Sequence, residues 1–542
     1  MKGTTLAAPT SGAGPAARVT PARGAAHWLF VPTILITVAY GLRAASRFRE
    51  GGSDGYLARF NDDFFYYLVV ARNLVEHGRS TFNGLVDTNG YHPLWFLLVS
   101  GFVAIAGDPR TVFVIVTGVF IGGCAATFVL AGILAQRYGA DRWWAVLTAT
   151  LTVAFYVFIS DGGMETVVAV PAFLGFLVAA TDRLTLRGTL NPLLTGLLAS
   201  VVILCRLDAI LFFAILGAAL LAVPAGTAAR SPRALALVAA GAAPLWVYFA
   251  VNRLVFGVWL PISGAAKQLR PFAFPLHPAA VPTSSTTFSG LLALASAVIL
   301  VALVRLAVRR ADLPDARARV LAFATLVFPL VFYAVQSLVS DWRLWPWYFY
   351  AWIVAVPVAG GIAGAGWSTR LAQRLPVRAG ALVLVVALAA VTAFRAIQPQ
   401  AEIRSSNATI LAFARELASF AQTHPGRYAM GDRAGTVGYL LPEPLLQLEG
   451  LMGDKAFLDE IRDRRPLLAA LADYKIDYYV TRDPQRVEGC YKLDEPFQAG
   501  PLSPHMRDTL CRAPVMVFQS PTDPEGVVQA VFDLRPAAAA AP

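Results

Sequence analysis

Two adjacent carboxylates, Asp62 and Asp63, open the stretch Asn61-Asp62-Asp63-Phe64-Phe65-Tyr66-Tyr67 and are the residues of this chain best suited to chemistry. Paired acids can divide labour, one taking a proton while its neighbour positions a group or holds a cation. The same pair could do no more than cap a helix, since carboxylates are stabilised at a helix N-terminus. A second set, Asp161, Glu165, Arg206, Asp208, Asn252 and Lys267, falls at the outer ends of apolar segments, where ionisable groups are functional candidates by default. The plainer reading of Arg206 and Asp208 is an ion pair. His92, just before Pro93, could donate to an anion or serve only as an interfacial anchor. Trp345 and Tyr348, in the run Asp341 to Tyr348, could stack on a sugar or polyprenyl chain, or form an aromatic belt. No His/Cys cluster has zinc spacing, and no nucleophile motif is present. The run Gly431 to Gly438 lacks the P-loop lysine and reads as a turn, which disfavours soluble nucleotide-sugar chemistry.

The elements that must position these groups are membrane helices. The chain has 542 residues, 57% hydrophobic and only 15% charged, far outside the soluble range. Its net charge of +11 reflects basic residues in short loops, which positive-inside topology explains better than nucleic-acid binding. Residues 1–26 read as a disordered cytoplasmic leader and 27–44 as an uncleaved anchor, which places 45–92 outside as a first outer loop. Phe64, Tyr67, Leu68 and Ala71 recur at helical spacing and predict an interfacial helix beginning near Asp62, capped by Asn61 or Asp62. Arginine-bearing loops around residues 183, 230, 305–319 and 370–378 then lie on the cytoplasmic side. One conflict remains in this pattern. Residues 93–107 and 111–135 look like two crossings, yet Gln136 to Arg142 should also be cytoplasmic, so one segment is re-entrant or interfacial or the charge reading of that loop fails.

From about residue 401 charges become frequent and no apolar run reaches spanning length. A helix over 407–422, a strand at 427–430, a helical stretch over 457–471 and a strand at 477–481 predict an α/β domain occupying 401–542. Cys124 and Cys205 read as small buried hydrophobes. Cys490 and Cys511 could form a disulfide if this domain is extracytoplasmic. The fold expected is a polytopic α-helical membrane protein of about 11 to 13 crossings over residues 27–400, with a C-terminal extracytoplasmic α/β domain.

Asp62-Asp63 after the first crossing, Ala71-Arg72-Asn73, and the entry Tyr91-His92-Pro93-Leu94-Trp95 together resemble the type C glycosyltransferases, polytopic enzymes with an acidic pair in the first outer loop. Gly163-Met164-Glu165-Thr166, Arg206-Leu207-Asp208, Asn252, Phe256-Gly257, Pro261, Ser263-Gly264 and Lys267 are also similar to bacterial members. So are Gly435 to Tyr439 and Leu448-Glu449-Gly450-Leu451 in the tail. The resemblance implies a polyprenyl-phosphate sugar donor and transfer to an acceptor hydroxyl on the outer face, with inversion. It implies Asp62 as the general base, Asp63 in support, and His92, Arg206 and Lys267 toward the donor phosphate. Glu165, Asp208, Asn252, Trp345 and Tyr348 are then substrate-binding candidates, and some relatives hold a divalent cation at the position of Asp62 and Asp63. The acceptor could be a glycan, a lipid or a protein of the cell envelope, at a bacterial inner membrane. A transporter or flippase of lipid-linked sugars is the competing reading, although no internal repeat is evident. A non-catalytic envelope scaffold is a third.

Overall fold

A computed structural model describes residues 57–160, 162–185, 191–222, 232–272, 286–308, 316–365, 401–519 and 528–536. The expected leader and anchor, Asp161, the last apolar run before residue 397 and the Ala-rich C-terminus lie outside these residues. The apolar part begins with α1 (Asp62–His77), α2 (Pro93–Ala106), α3 (Pro109–Arg137), α4 (Arg142–Ser160), α5 (Thr166–Thr185), α6 (Pro192–Cys205) and α7 (Ile210–Ala222). It continues through α8 (Pro232–Gly241), α9 (Ala243–Val255), the short α10 (Ile262–Ala266), α11 (Thr286–Val308), α12 (Ala316–Val339) and α13 (Tyr350–Gly364).

Five helices among the described residues are long and apolar enough to cross a membrane, or six if α8 and α9, bent by 58°, form one broken span. The chain is therefore a multi-pass membrane protein with fewer full-length crossings in view than its apolar runs suggest. Several runs form helices too short to cross. α2, with 14 residues, reaches about 21 Å against a hydrocarbon core of about 30 Å.

The position of α2 also explains the conflict in the loop charges. Phe113, near the start of α3, packs against Phe60, Phe64, Phe65 and Tyr439. Both ends of α2 thus stay at one end of the bundle, and α2 is the segment that does not cross. α13 forms the centre of the bundle and is buried on nearly every side. Its glycines make room for neighbouring helices: a Cβ at Gly360 would stand 2.5 Å from the Thr148 side chain, one at Gly364 2.1 Å from the Trp144 ring, and one at Gly361 2.6 Å from the Ala135 carbonyl oxygen. At its far end Arg305 donates to the carbonyls of Ala363 and Ala365, the favoured place for a cation at a helix C-terminus.

The tail runs α14 (Ala401–Thr423), β1 (Tyr428–Met430), α15 (Ala434–Leu440), β2 (Leu445–Gln447), α16 (Lys455–Arg462), α17 (Leu467–Asp473) and β3 (Tyr478–Arg482). It then becomes all-strand: β4 (Gln485–Val487), β5 (Cys490–Glu495), β6 (Met506–Leu510), β7 (Met516–Gln519) and β8 (Val528–Asp533). One sheet has the order β2-β1-β3-β8-β7, parallel across β2, β1 and β3 and antiparallel at β8 and β7. β4, β5 and β6 form a separate antiparallel sheet, and Cys490 and Cys511 are joined by a disulfide at its end. The α/β alternation holds through β3. The run read as a turn is a turn that passes into α15, with Arg433 at φ 64° just before it.

α1 differs from the expected surface helix. Every residue from Phe64 to Ala71 is buried, because the tail covers the face that would otherwise meet water. Tyr439 of α15 packs on Phe65 at 5.2 Å between ring centroids.

Candidate active site

Consecutive residues on a helix point about 100° apart, so two adjacent acids cannot share one environment. Asp62 faces the tail. Asn61 occupies the N-cap position without a side-chain capping bond, and the Asp62 carboxylate turns away from its own helix. Its Oδ1 accepts from the Thr436 amide at 2.7 Å and its Oδ2 from the Gly435 amide at 3.1 Å. The contact requires glycine: a Cβ at Gly435 would lie 2.2 Å from the Asp62 carbonyl oxygen. Burial raises the Asp62 carboxyl above its ordinary range, while Arg433 and the Thr436 and Gly435 contacts pull it down.

Asp63 lies under the charge of Lys267 in the membrane domain and of Arg433 in the tail. Burial pushes its carboxyl up to about 6, opposed by the Lys267 ammonium and reinforced by the charges of Asp62 and Glu165. The Lys267 Nζ donates to the Tyr348 hydroxyl at 2.9 Å and lies 5.9 Å from the centre of the Trp342 ring. Burial would lower the Lys267 ammonium, but Tyr348 and Asp63 outweigh it and hold it above its usual value. Among the described residues Lys267 makes no ion pair, and the carboxyls of Asp63 and Glu449 act on its charge only at longer range.

Arg206 is matched. Its Nη1 donates to Glu165 and its Nε to both oxygens of Asp208 at 3.1 and 3.2 Å. Its guanidinium lies over the rings of Tyr348 and Tyr350 at 5.0 and 4.6 Å. Tyr350 donates to Asp208 at 2.7 Å, and Tyr67, one turn after Asp63, donates to Glu165 at 3.2 Å. His92 joins this network as a neutral ring. Its Nδ1 accepts from the Leu207 amide at 3.2 Å, which leaves the proton on Nε2, 3.7 Å from Glu165. Burial, with the nearby Arg206 charge, pushes His92 down to about 3.

Asp63, His92, Glu165, Arg206, Asp208, Lys267 and Tyr348 are thus gathered at one end of the bundle. Asn252 stands apart from that network, accepting from the side-chain amide of Asn89 at 3.2 Å, while the Asn89 oxygen accepts from the Ile262 amide and so steadies the start of α10. Trp345 stacks on Trp347 at 5.7 Å, with Arg343 over it at 5.1 Å. The tail adds a residue not foreseen as part of the site, Glu449. Its Oε1 accepts from the Gln498 amide at 3.2 Å, and burial, with the charges of Asp432, Glu495 and Asp63, raises its carboxyl well above the usual range. Tyr67 reads in the sequence only as part of the apolar stripe of α1, although its place four residues after Asp63 puts both on one face of the helix. Glu449 stands in the run Leu448-Glu449-Gly450-Leu451 that carries part of the resemblance, but nothing local ties it to residues nearly four hundred positions earlier.

A divalent cation bridging Asp62 and Asp63 fits these residues poorly, since both Asp62 oxygens are engaged by backbone amides. Among the described residues no group of three His, Cys, Asp or Glu could hold a metal ion.

No protein-family model matches the chain, and no curated protein matches it. Among solved structures it is similar to the Archaeoglobus fulgidus oligosaccharyltransferase in the apo form, at 14% identity and a TM-score of 0.47, over 83% of this chain and 69% of that one. The crystal structure of the same enzyme tethered with an acceptor peptide containing the NVT sequon gives 13% identity and a TM-score of 0.46, over 84% and 69%.

Proposed function

We propose that the protein is an inverting glycosyltransferase that moves a sugar from a polyprenyl-phosphate donor to a hydroxyl of a cell-envelope acceptor, with Asp63 as general base. The observation that carries this reading is a half-buried carboxyl, raised to about 6 by burial and drawn down by the charge of an ammonium group that makes no ion pair among the described residues. A base titrating near neutrality can take a proton from a hydroxyl, and a cation nearby can stabilise charge on a departing phosphate. The acceptor oxygen attacks the anomeric carbon as Asp63 removes its proton. The bond from that carbon to the phosphate oxygen breaks, and polyprenyl phosphate leaves with its charge facing Lys267. His92 contributes a neutral Nε2–H donor. Arg206, already held by Glu165 and Asp208, orients Tyr348 and Tyr350 rather than meeting phosphate directly.

Relative to the family resemblance, this assignment exchanges the roles of the two acids. Asp62 docks the tail and Asp63 performs the proton transfer. The arginine-capped end of the bundle faces the cytoplasm and the site faces outward, at a bacterial inner membrane, with the tail extracytoplasmic.

The test is sugar transfer by purified protein in lipid, from a panel of synthetic polyprenyl-phosphate sugars. Asp63→Asn is expected to abolish release of polyprenyl phosphate while donor binding persists, and Asp62→Asn to retain part of the activity. Loss in Asp62→Asn alone, with Asp63→Asn active, sinks the assignment. Movement of labelled lipid-linked sugar across proteoliposome membranes without turnover replaces transfer with transport.

A further inference from the structure

Three residues beyond Lys267, Arg270 is only 4% exposed. Its Nη1 donates to the carbonyls of Ser337 and Ser340, each at 3.3 Å, at the C-terminal end of α12. That contact places a cation at the negative end of a helix dipole and accounts for one corner of the guanidinium. The other edge is unaccounted for. Nε and Nη2 have no hydrogen-bond partner, and Arg270 makes no ion pair among the described residues. These two nitrogens form the fork that meets two oxygens of a carboxylate or phosphate at once.

Trp342, 5% exposed, presents a second buried donor, since its indole Nε1 also has no partner. Ser340 ties the two residues together: its carbonyl accepts from Arg270, and its hydroxyl accepts from the Trp342 amide at 3.2 Å. The Trp342 ring in turn adjoins the Lys267 ammonium. Burying a charge with part of its hydrogen-bonding capacity unmet is costly, and buried polar groups are otherwise almost always satisfied. Two such donors on residues joined through Ser340, with the Trp342 ring adjoining a cation that makes no ion pair among the described residues, are accounted for if a ligand brings the missing acceptor.

We propose that Arg270 and Trp342 form a buried oxyanion-binding site adjoining Lys267, built to take the phosphate or carboxylate group of a substrate. The oxyanion can come from the lipid phosphate of a donor or from an acidic sugar. Binding is read directly, so the proposal stands or falls independently of transferase activity.

The experiment measures binding by the full-length protein in lipid nanodiscs, using geranyl phosphate, its alcohol geraniol, and methyl glucuronide as probes. Wild type is expected to bind at least one of the two anionic probes more tightly than geraniol. Arg270→Gln should weaken that binding by about tenfold or more, and Trp342→Phe, which removes only the N–H, by several-fold. Loss confined to geranyl phosphate identifies the lipid phosphate as the source, and loss confined to the glucuronide identifies an acidic sugar. Binding of neither anion by wild type, or unchanged affinity in both variants, overturns the proposal and leaves Arg270 as a cap of α12. If Arg270→Gln does not fold, Trp342→Phe decides.

Discussion

The two acids of α1 show how one residue step separates two functions. The sequence marks both positions but cannot rank them, because the partner that claims Asp62 is a pair of amides in the tail. Asp63 keeps a titratable carboxyl, and its pH behaviour follows. Its folded value, about 6, lies above the ordinary carboxyl value of 3.8, so the folded state prefers the protonated form. The cost of burying the carboxylate is absent below about pH 4, grows as pH rises toward 6 and is fully present above it. Asp63→Asn should therefore raise the melting temperature at pH 7 and leave it unchanged at pH 4, as a thermal-shift series would show. Transfer by wild type should fall as pH drops through about 6, with loss in kcat as the base becomes protonated. Equal melting shifts at both pH values would remove burial as the cause. Among the other polar candidates, Glu165, Arg206 and Asp208 were legible as groups at the ends of apolar segments, and their mutual pairing follows from the plainer ion-pair reading. Arg206→Ala would leave the buried Glu165 and the half-buried Asp208 without their cation, a loss of about 3–5 kcal/mol visible as a lowered melting temperature.

At the scale of elements, helical periodicity located α1, and the α/β alternation located β1 and β3. What periodicity could not convey is what covers a helix. α1 reads as amphipathic and interfacial, yet its outer face lies beneath α15, an element more than 350 residues later. The glycine spacing in Gly431 to Gly438 looked like turn chemistry because only the three-dimensional neighbour explains it: Gly435 is required where the Asp62 backbone passes. Two changes should therefore have one phenotype. Asp62→Ala removes the acceptor of two amide hydrogen bonds, at a cost of about 1–3 kcal/mol, and Gly435→Ala pushes the same surfaces apart. Both are expected to speed hydrogen exchange across residues 434–440 and to lower kcat, although Asp63 is untouched. Asp62→Asn keeps one acceptor oxygen and should fall between them and wild type. Unchanged exchange in both variants would show that α15 is held by its apolar contacts alone.

At the scale of the whole molecule, the described residues fix the tail to the membrane domain at three polar points. Asn407 donates to the carbonyls of Ala58 and Phe60 at 3.1 Å each, and Asp62 holds the start of α15. Asp341 accepts from the amides of Leu502 and Ser503 at 2.7 and 3.0 Å. Asp341 lies one residue before Trp342, and Asp62 one before Asp63, so these two anchors adjoin residues of the polar cluster. Releasing one anchor leaves the others to hold the tail in register; releasing two lets water reach Asp63. Independent sites should add in free energy, whereas anchors of one rigid lid should not. The double variant Asp62→Ala with Asp341→Ala is thus expected to lose more activity than the product of the single losses. It should also return the titration of Asp63 toward an ordinary carboxylate, seen as a base limb shifted below pH 6 in the residual rate. Losses that multiply, with the limb unmoved, would mean that the tail is bound at two separate contacts and that burial of Asp63 comes from the membrane helices themselves.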